Sequence, residues 1–294
     1  MFSGSWVAVV TPFRNGEIDE EALASLINWH VEQGTDGVVA VGTTGESPTL
    51  SNEEHMRVVE ICVRAAAGRK PVMAGTGSNS TDEAISLTRR AKEVGADSVL
   101  LVSPYYNKPT QEGIYRHYMA IADAVDIPQV IYNVPGRTAS RIEVSTMARL
   151  AAHKNIVGIK DAVGDLNYTS ELIARLGPAF HVFSGDDSLT IPMMSLGARG
   201  VISVAANVVP AKISGMVAAM SAGDFAGARA AHFELWDLMN SMFYETNPIP
   251  VKTALAMMGK IQEEFRLPLC QMSQANRERL RSVMIKMGLV PEEK

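Results

Sequence analysis

A lysine at the end of an apolar run is the residue best placed to do chemistry in this sequence. It stands in Ile156-Val157-Gly158-Ile159-Lys160-Asp161. The two-residue period of a strand puts Ile156, Gly158 and Lys160 on one face, with Gly158 leaving room beside the amine. Lysine is almost never buried without a partner or a task. The bland alternative is a side chain that snorkels past the strand end to water. A free lysine has a pKa near ~10.4, so about one molecule in 2,500 is neutral at pH 7. Desolvation that lowered the pKa by about 3 units, roughly 4 kcal/mol, would make the amine a usable nucleophile. Such an amine attacks a carbonyl, loses water and leaves a Schiff base, an electron sink for carbon-carbon chemistry.

Two more apolar runs end in reactive residues. Gly42-Thr43-Thr44-Gly45-Glu46 places two hydroxyls between glycines. Glycines let main-chain N–H groups approach a ligand, and amides beside hydroxyls suit a small carboxylate or phosphate. An ordinary strand-to-helix turn would read the same way. Ile131-Tyr132-Asn133-Val134-Pro135-Gly136-Arg137-Thr138 ends in a phenol, then an arginine after a Pro-Gly turn. A phenol can relay a proton and a guanidinium can clamp a carboxylate. A core tyrosine and a solvated arginine remain the alternative. No metal is expected, because His30, His55, His117, His153, His181 and His232 form no HxH or HExxH pair. Neither a P-loop nor a GxSxG elbow is present.

Something must bring these three ends together. Eight short apolar runs recur every 20 to 34 residues or so: Val7–Val10, Gly37–Val41, Pro71–Ala74, Ser98–Val102, Gln129–Tyr132, Ile156–Lys160, His181–Phe183 and Val201–Val204. Each is apolar on both faces, as a helix-covered parallel strand should be. Amphipathic segments alternate with them. Asp19, Ser51 with Glu54, and Ser80 with Glu83 mark helix starts, the latter two as capping boxes. Gly34, Gly68, Gly95, Gly177 and Gly197 mark helix ends. Eight such units predict an α/β fold, a closed (β/α)8 TIM barrel, with function at the carboxyl ends of the strands. A doubly wound sheet is weaker because no GxGxxG follows the first run. After the eighth run the chain reads helical over 224–242, 250–258 and 274–287. The expected division is a catalytic barrel over 1–224 and a C-terminal helical domain over 225–294, with no Gly/Ser/Pro linker between them.

The 294 residues suit one large barrel with an appendage. With 47% hydrophobic and 20% charged residues a large core is possible. A net charge of -5 disfavours nucleic acid as a partner. No apolar run reaches 18 residues, so no membrane span is expected. The start Met1-Phe2-Ser3-Gly4-Ser5-Trp6 lacks the pattern of a signal peptide, and Cys62 and Cys270 cannot make a disulfide framework. The expectation is a cytoplasmic protein.

Taken together, the three ends resemble the Schiff-base pyruvate aldolase/lyase superfamily, and within it the dihydrodipicolinate synthase family. Val10-Thr11-Pro12-Phe13, Pro104-Tyr105-Tyr106-Asn107-Lys108-Pro109, Ser184-Gly185-Asp186-Asp187 and Asn247-Pro248-Ile249-Pro250-Val251-Lys252 also match. The resemblance runs from Gly4 to about residue 290. It implies a lyase that condenses pyruvate with L-aspartate-4-semialdehyde to 4-hydroxy-tetrahydrodipicolinate, on the diaminopimelate and lysine route. Lys160 would form the imine with pyruvate, with no added cofactor. Thr43 and Thr44 would hold the pyruvate carboxylate, Arg137 the semialdehyde carboxylate, and Gly185 and Ile202 would line the pocket. Thr44, Tyr132 and Tyr106 from a neighbouring subunit would relay protons, within a homotetramer built as a dimer of dimers.

The resemblance also implies an inhibitory lysine site at Ser47, His55, Asn79, Glu83 and Tyr105. Lysine-inhibited members often carry histidine where Asn52 stands and alanine where Pro48 stands, so feedback is expected to be weak or absent. Sister enzymes, N-acetylneuraminate lyase and the 2-keto-3-deoxy sugar-acid aldolases, share the lysine and the tyrosine. A ligand-sensing barrel without catalysis is the rival of another class.

Overall fold

The computed structural model describes residues 2–292. Eight parallel strands close into a barrel. They are β1 (Gly4–Ala8), β2 (Gly37–Ala40), β3 (Val72–Gly75), β4 (Ser98–Val102), β5 (Gln129–Asn133), β6 (Ile156–Asp161), β7 (His181–Ser184) and β8 (Gly200–Ser203). Consecutive strands pair in order, and β1 pairs with both β2 and β8. Around them lie α1 (Glu20–Glu32), α2 (Asn52–Ala66), α3 (Thr81–Glu93), α4 (Gln111–Ala124), α5 (Val144–Leu150), α6 (Leu166–Leu176), α7 (Thr190–Leu196) and α8 (Pro210–Ser221). The expected barrel is therefore present, and each expected run coincides with or overlaps one strand. The largest offset is at β1, which starts at Gly4. There the ladder decides, since residues 4–7 pair with residues 200–203 whether or not their side chains are β-branched.

Two apolar layers hold the barrel. The outer one lies between strands and helices and includes Val38, Val99, Ile131, Ile159 and Val201. The inner one fills the barrel with Trp6, Val39, Met73, Leu100, Val130, Tyr132, Phe183 and Ile202. Trp6 meets Phe183 edge-on at 6.2 Å between ring centroids. Burying an indole removes on the order of 200 Å² from water, about 5 kcal/mol before entropy.

The inner face of β6 differs from strict alternation. Pairing with β5 shifts register after Gln129, so Gln129 faces Ile156 but Val130 faces Gly158. A bulge of this kind turns Ile156 into the outer layer and half-buried Val157 toward the inner one. Ile156 thus does not share a face with Lys160, as the two-residue period predicted. Gly158 also has a different task. A Cβ there would lie 2.5 Å from the His181 carbonyl oxygen, so the glycine lets β7 approach rather than clearing space for the amine.

Most local signals hold. Asp19 caps α1, and Ser51 with Glu54 forms a complete capping box on α2. The box on α3 is half formed: Ser80 accepts from the Glu83 N–H, while the Glu83 carboxylate accepts from Ser78 Oγ. One element escaped prediction, a hairpin pairing Phe13–Arg14 with Glu17–Ile18. Its turn is Asn15-Gly16, both at positive φ, and that dipeptide is a strong hairpin signal.

Three helices follow the barrel: α9 (Phe225–Ser241), α10 (Ile249–Met257) and α11 (Gln274–Lys286). Asp224 caps α9 with its side chain. Leu235, Leu238 and Met239 of α9, Leu255 of α10, and Leu280 and Met284 of α11 join the same apolar layer as the barrel's outer face. Met1, Glu293 and Lys294, which end the two expected ranges, lie outside the described residues.

Candidate active site

β6 carries Lys160 to the carboxyl rim of the barrel, and pairing sets Tyr132 of β5 beside it. Lys160 is 5% exposed, and its Nζ lies 4.4 Å from the centre of the Tyr132 ring. Among the described residues no carboxylate is within ion-pair range of that nitrogen. Lys252 shows the contrast: also fully buried, it is paired with the equally buried Glu46. Burial lowers the Lys160 pKa from 10.5 to about 8; buried Asp187 opposes the shift and Arg137 adds to it. At Gly185 a Cβ would stand 2.7 Å from Ala162 Cβ and 3.2 Å from Lys160 Cε. A hydrogen at this position is what leaves the lysine side chain its space. Ile202, fully buried, belongs to the inner layer below.

The two threonines separate. Residues 43–45 form one 3₁₀ turn beyond β2. Thr43 lines the cavity, and its side chain is near enough to the Tyr132 phenol to favour the phenolate. Thr44 is 2% exposed and its Oγ1 accepts from Asn247 Nδ2 at 3.0 Å. The hydroxyl that meets Tyr132 is therefore that of Thr43, not Thr44 as the resemblance implied. Successive residues of a tight helical turn point roughly 120° apart, so only one of the pair can face the phenol. Burial pushes the Tyr132 pKa above 10, while Arg137 and the nearby Thr43 side chain pull it back.

A cavity of about 380 Å³ opens beside Thr43 and Tyr132; Thr44, Gly185 and Ile202 are not among its lining residues. Thr43, Tyr132, Val134, Arg137 and Thr138 line one side. Arg137 rides on the short helical turn Pro135–Thr138. Its Nη2 donates to the Asn247 carbonyl at 3.2 Å, which leaves its other N–H groups free for a carboxylate. Lys160 is not itself among the lining residues; Tyr132, in contact with it, is. Behind the lysine, Asp187 accepts from Ser203 Oγ and from the N–H groups of Val204 and Ala205 at 3.0 and 2.9 Å. Asn247, Asp187 and Glu46 have contacts that residue type alone does not announce, although all three lie in the motifs quoted above. Among the described residues no cluster of three or more His, Cys, Asp or Glu could hold a metal.

The same cavity extends to Ser47, Pro48, Asn52, His55, Glu83 and Tyr105. His55 Nε2 contacts the Gly75 carbonyl oxygen at 2.7 Å, and burial lowers its pKa. Asn79 is not a lining residue; its Nδ2 donates to the Tyr105 carbonyl at 3.2 Å. Tyr106 stands apart from its own chain's site, 90% exposed and at φ +71. A left-handed backbone costs a bulky residue roughly 1–2 kcal/mol. Bonds from Asn107 N–H to the Tyr105 carbonyl at 2.8 Å and from Asn107 Nδ2 to the Asn79 carbonyl at 2.9 Å hold it there.

Comparison with known proteins agrees with this geometry. Residues 1–287 match the model of the dihydrodipicolinate synthetase family. A 4-hydroxy-tetrahydrodipicolinate synthase of Trichlorobacter lovleyi is 58% identical over 290 residues, spanning 99% of this chain and all of the relative. The crystal structure of dihydrodipicolinate synthase from Aquifex aeolicus superposes with a TM-score of 0.98 at 54% identity, covering 99% of this chain and 100% of that one. The chloride-inhibited enzyme of Acinetobacter baumannii, solved with pyruvate, gives 0.97 at 49% identity over 99% and 100% of the two chains. With a buried, unpaired lysine, a phenol and an arginine at the mouth of one barrel, this chain belongs to the dihydrodipicolinate synthetase family.

Proposed function

We propose that this chain condenses pyruvate with L-aspartate-4-semialdehyde through an imine on Lys160, yielding 4-hydroxy-tetrahydrodipicolinate. The observation that carries the mechanism is the buried amine without a counter-ion, its pKa lowered to about 8. The neutral amine attacks C2 of pyruvate, and loss of water leaves the iminium. A methyl proton departs to give the enamine. The enamine carbon attacks the aldehyde, whose oxygen takes up a proton. The amine of the semialdehyde then adds to C2, closes the ring and displaces Lys160. No added cofactor is needed, because the iminium is itself the electron sink.

Thr43 and Thr44 hold the pyruvate carboxylate in this reading, Arg137 the carboxylate of the semialdehyde. Tyr132 and Thr43 pass the protons, each hydroxyl able to donate and accept. Tyr106 of a second copy completes the relay, which its exposure and strained backbone support. The assembly is a homotetramer, a dimer of dimers. Residues 1–224 form the catalytic barrel and 225–294 the helical domain. Free lysine at Ser47, His55, Asn79, Glu83 and Tyr105 inhibits weakly, since Pro48 and Asn52, which line the same cavity, stand where lysine-inhibited members often carry alanine and histidine. No helix of the described residues is long and apolar enough to cross a membrane, and we place the enzyme in the cytoplasm, on the lysine route.

The test is borohydride reduction in the presence of pyruvate, followed by peptide mass analysis. The expected result is one pyruvate-derived adduct, at Lys160, and turnover with L-aspartate-4-semialdehyde in preference to N-acetylmannosamine or a sugar aldehyde. An unmodified Lys160 refutes the mechanism; preference for a sugar aldehyde moves the chain to its sister enzymes.

A further inference from the structure

One residue of the C-terminal segment touches both proposed carboxylate anchors. Asn247 is 5% exposed. Its Nδ2 donates to Thr44 Oγ1 at 3.0 Å, and its main-chain carbonyl accepts from Arg137 Nη2 at 3.2 Å. Its Oδ1 is buried without a hydrogen-bond partner. A buried acceptor left unpaired costs roughly 1–3 kcal/mol, so an amide here is a poor choice for stability alone.

We propose that Asn247 is a positioning residue: its amide aims the Thr44 hydroxyl at the pyruvate carboxylate, while its carbonyl steadies Arg137 for the second substrate. This rests on the reading above that Thr44 and Arg137 hold the two carboxylates. A threonine hydroxyl has one proton and two lone pairs. With an N–H donor occupying a lone pair, the proton turns elsewhere, and no other described group accepts it. A carboxylate above the turn would. The same segment grips the turn again. Five residues on, Lys252 pairs with Glu46, and the Arg266 N–H donates to Glu46 Oε2 at 3.3 Å. The anchors for both substrates are thus set from the helices that follow the barrel.

The side chain and the main chain make separable predictions. Asn247→Ala removes the bond to Thr44 but keeps the carbonyl on Arg137. The pyruvate KM should rise about tenfold, the value of one such hydrogen bond. The semialdehyde KM should stay within about twofold and kcat within about threefold. Asn247→Asp keeps the size but offers an acceptor, which captures the Thr44 proton and sets a negative charge beside the incoming carboxylate. It should raise the pyruvate KM further, by about a hundredfold, although it fits the site better than alanine. Thermal unfolding of each variant accompanies the kinetics. A pyruvate KM within twofold of the unsubstituted enzyme in either variant overturns the proposal. So does a joint rise of both KM values in step with a falling Tm, which marks a merely structural residue. Failure of the unsubstituted enzyme to form an adduct at Lys160 removes the functional reading and this inference with it. Normal adduct formation with flat KM values removes this inference alone.

Discussion

The rate at which Lys160 captures pyruvate should rise about tenfold between pH 7 and pH 9 and then level off. Only the neutral amine attacks a carbonyl. With a pKa of about 8, roughly a tenth of the folded molecules carry it at pH 7 and nine tenths at pH 9. At the ordinary 10.5 the neutral fraction would be roughly 300-fold smaller at pH 7, and would climb about a hundredfold over the same interval with no plateau. The assay is the initial rate of borohydride-trapped adduct at Lys160 against pH, at pyruvate well below saturation. A log-linear rise continuing to pH 10 refutes the claim that burial tunes the amine, and so does a flat profile below pH 8. The shift has a second signature in stability. The unfolded chain keeps its proton up to 10.5 and the folded chain releases it near 8, so stability increases with pH between those values. Below pH 8 the fold bears a penalty of about 3 kcal/mol. Lys160→Met removes that penalty, and at pH 7 it should unfold at higher urea while forming no adduct. A variant less stable than its parent at pH 7 would contradict the assignment of desolvation as the cause.

Five further substitutions, at three places, probe the surroundings. Gly185→Ala places a Cβ 2.7 Å from Ala162 Cβ and 3.2 Å from Lys160 Cε, and adduct formation should slow at least tenfold; an unchanged trapping rate means the lysine does not need that space. Thr43→Val should lower kcat about a hundredfold, because it removes the hydroxyl beside Tyr132, whereas Thr44→Val should act chiefly on the pyruvate KM. The reverse pattern would restore Thr44 to the relay. Lys252→Met leaves Glu46 buried without its partner and should cost 3–5 kcal/mol by the general range for such pairs. Adding Glu46→Gln should recover at least half of that in urea unfolding; no recovery means that the loss comes from packing against Phe13 and Phe265, whose rings Lys252 Nζ approaches at 4.3 and 5.1 Å.

What the chain declares locally was readable without coordinates. The eight runs are legible because a strand covered on both faces must be apolar throughout, and the caps of α1 and α2 because they join residues three apart. Lys160 is legible for a related reason: an ammonium at the end of such a run conflicts with its neighbours, and the conflict is visible in sequence. Tyr132 and Arg137 follow from the same logic at the next strand end. The tertiary structure alone decided three things. Which of two adjacent hydroxyls faces Tyr132 depends on the backbone torsions of one turn. Which residues of β6 face inward depends on a bulge, and that depends on its pairing with β5. The roles of Asn247 and Lys252 depend on contacts 203 and 206 residues away along the chain. Residue type sets what a side chain can do, and that is local. Which partner it meets is set by how the barrel closes and where the last helices dock, and no spacing along the chain records those.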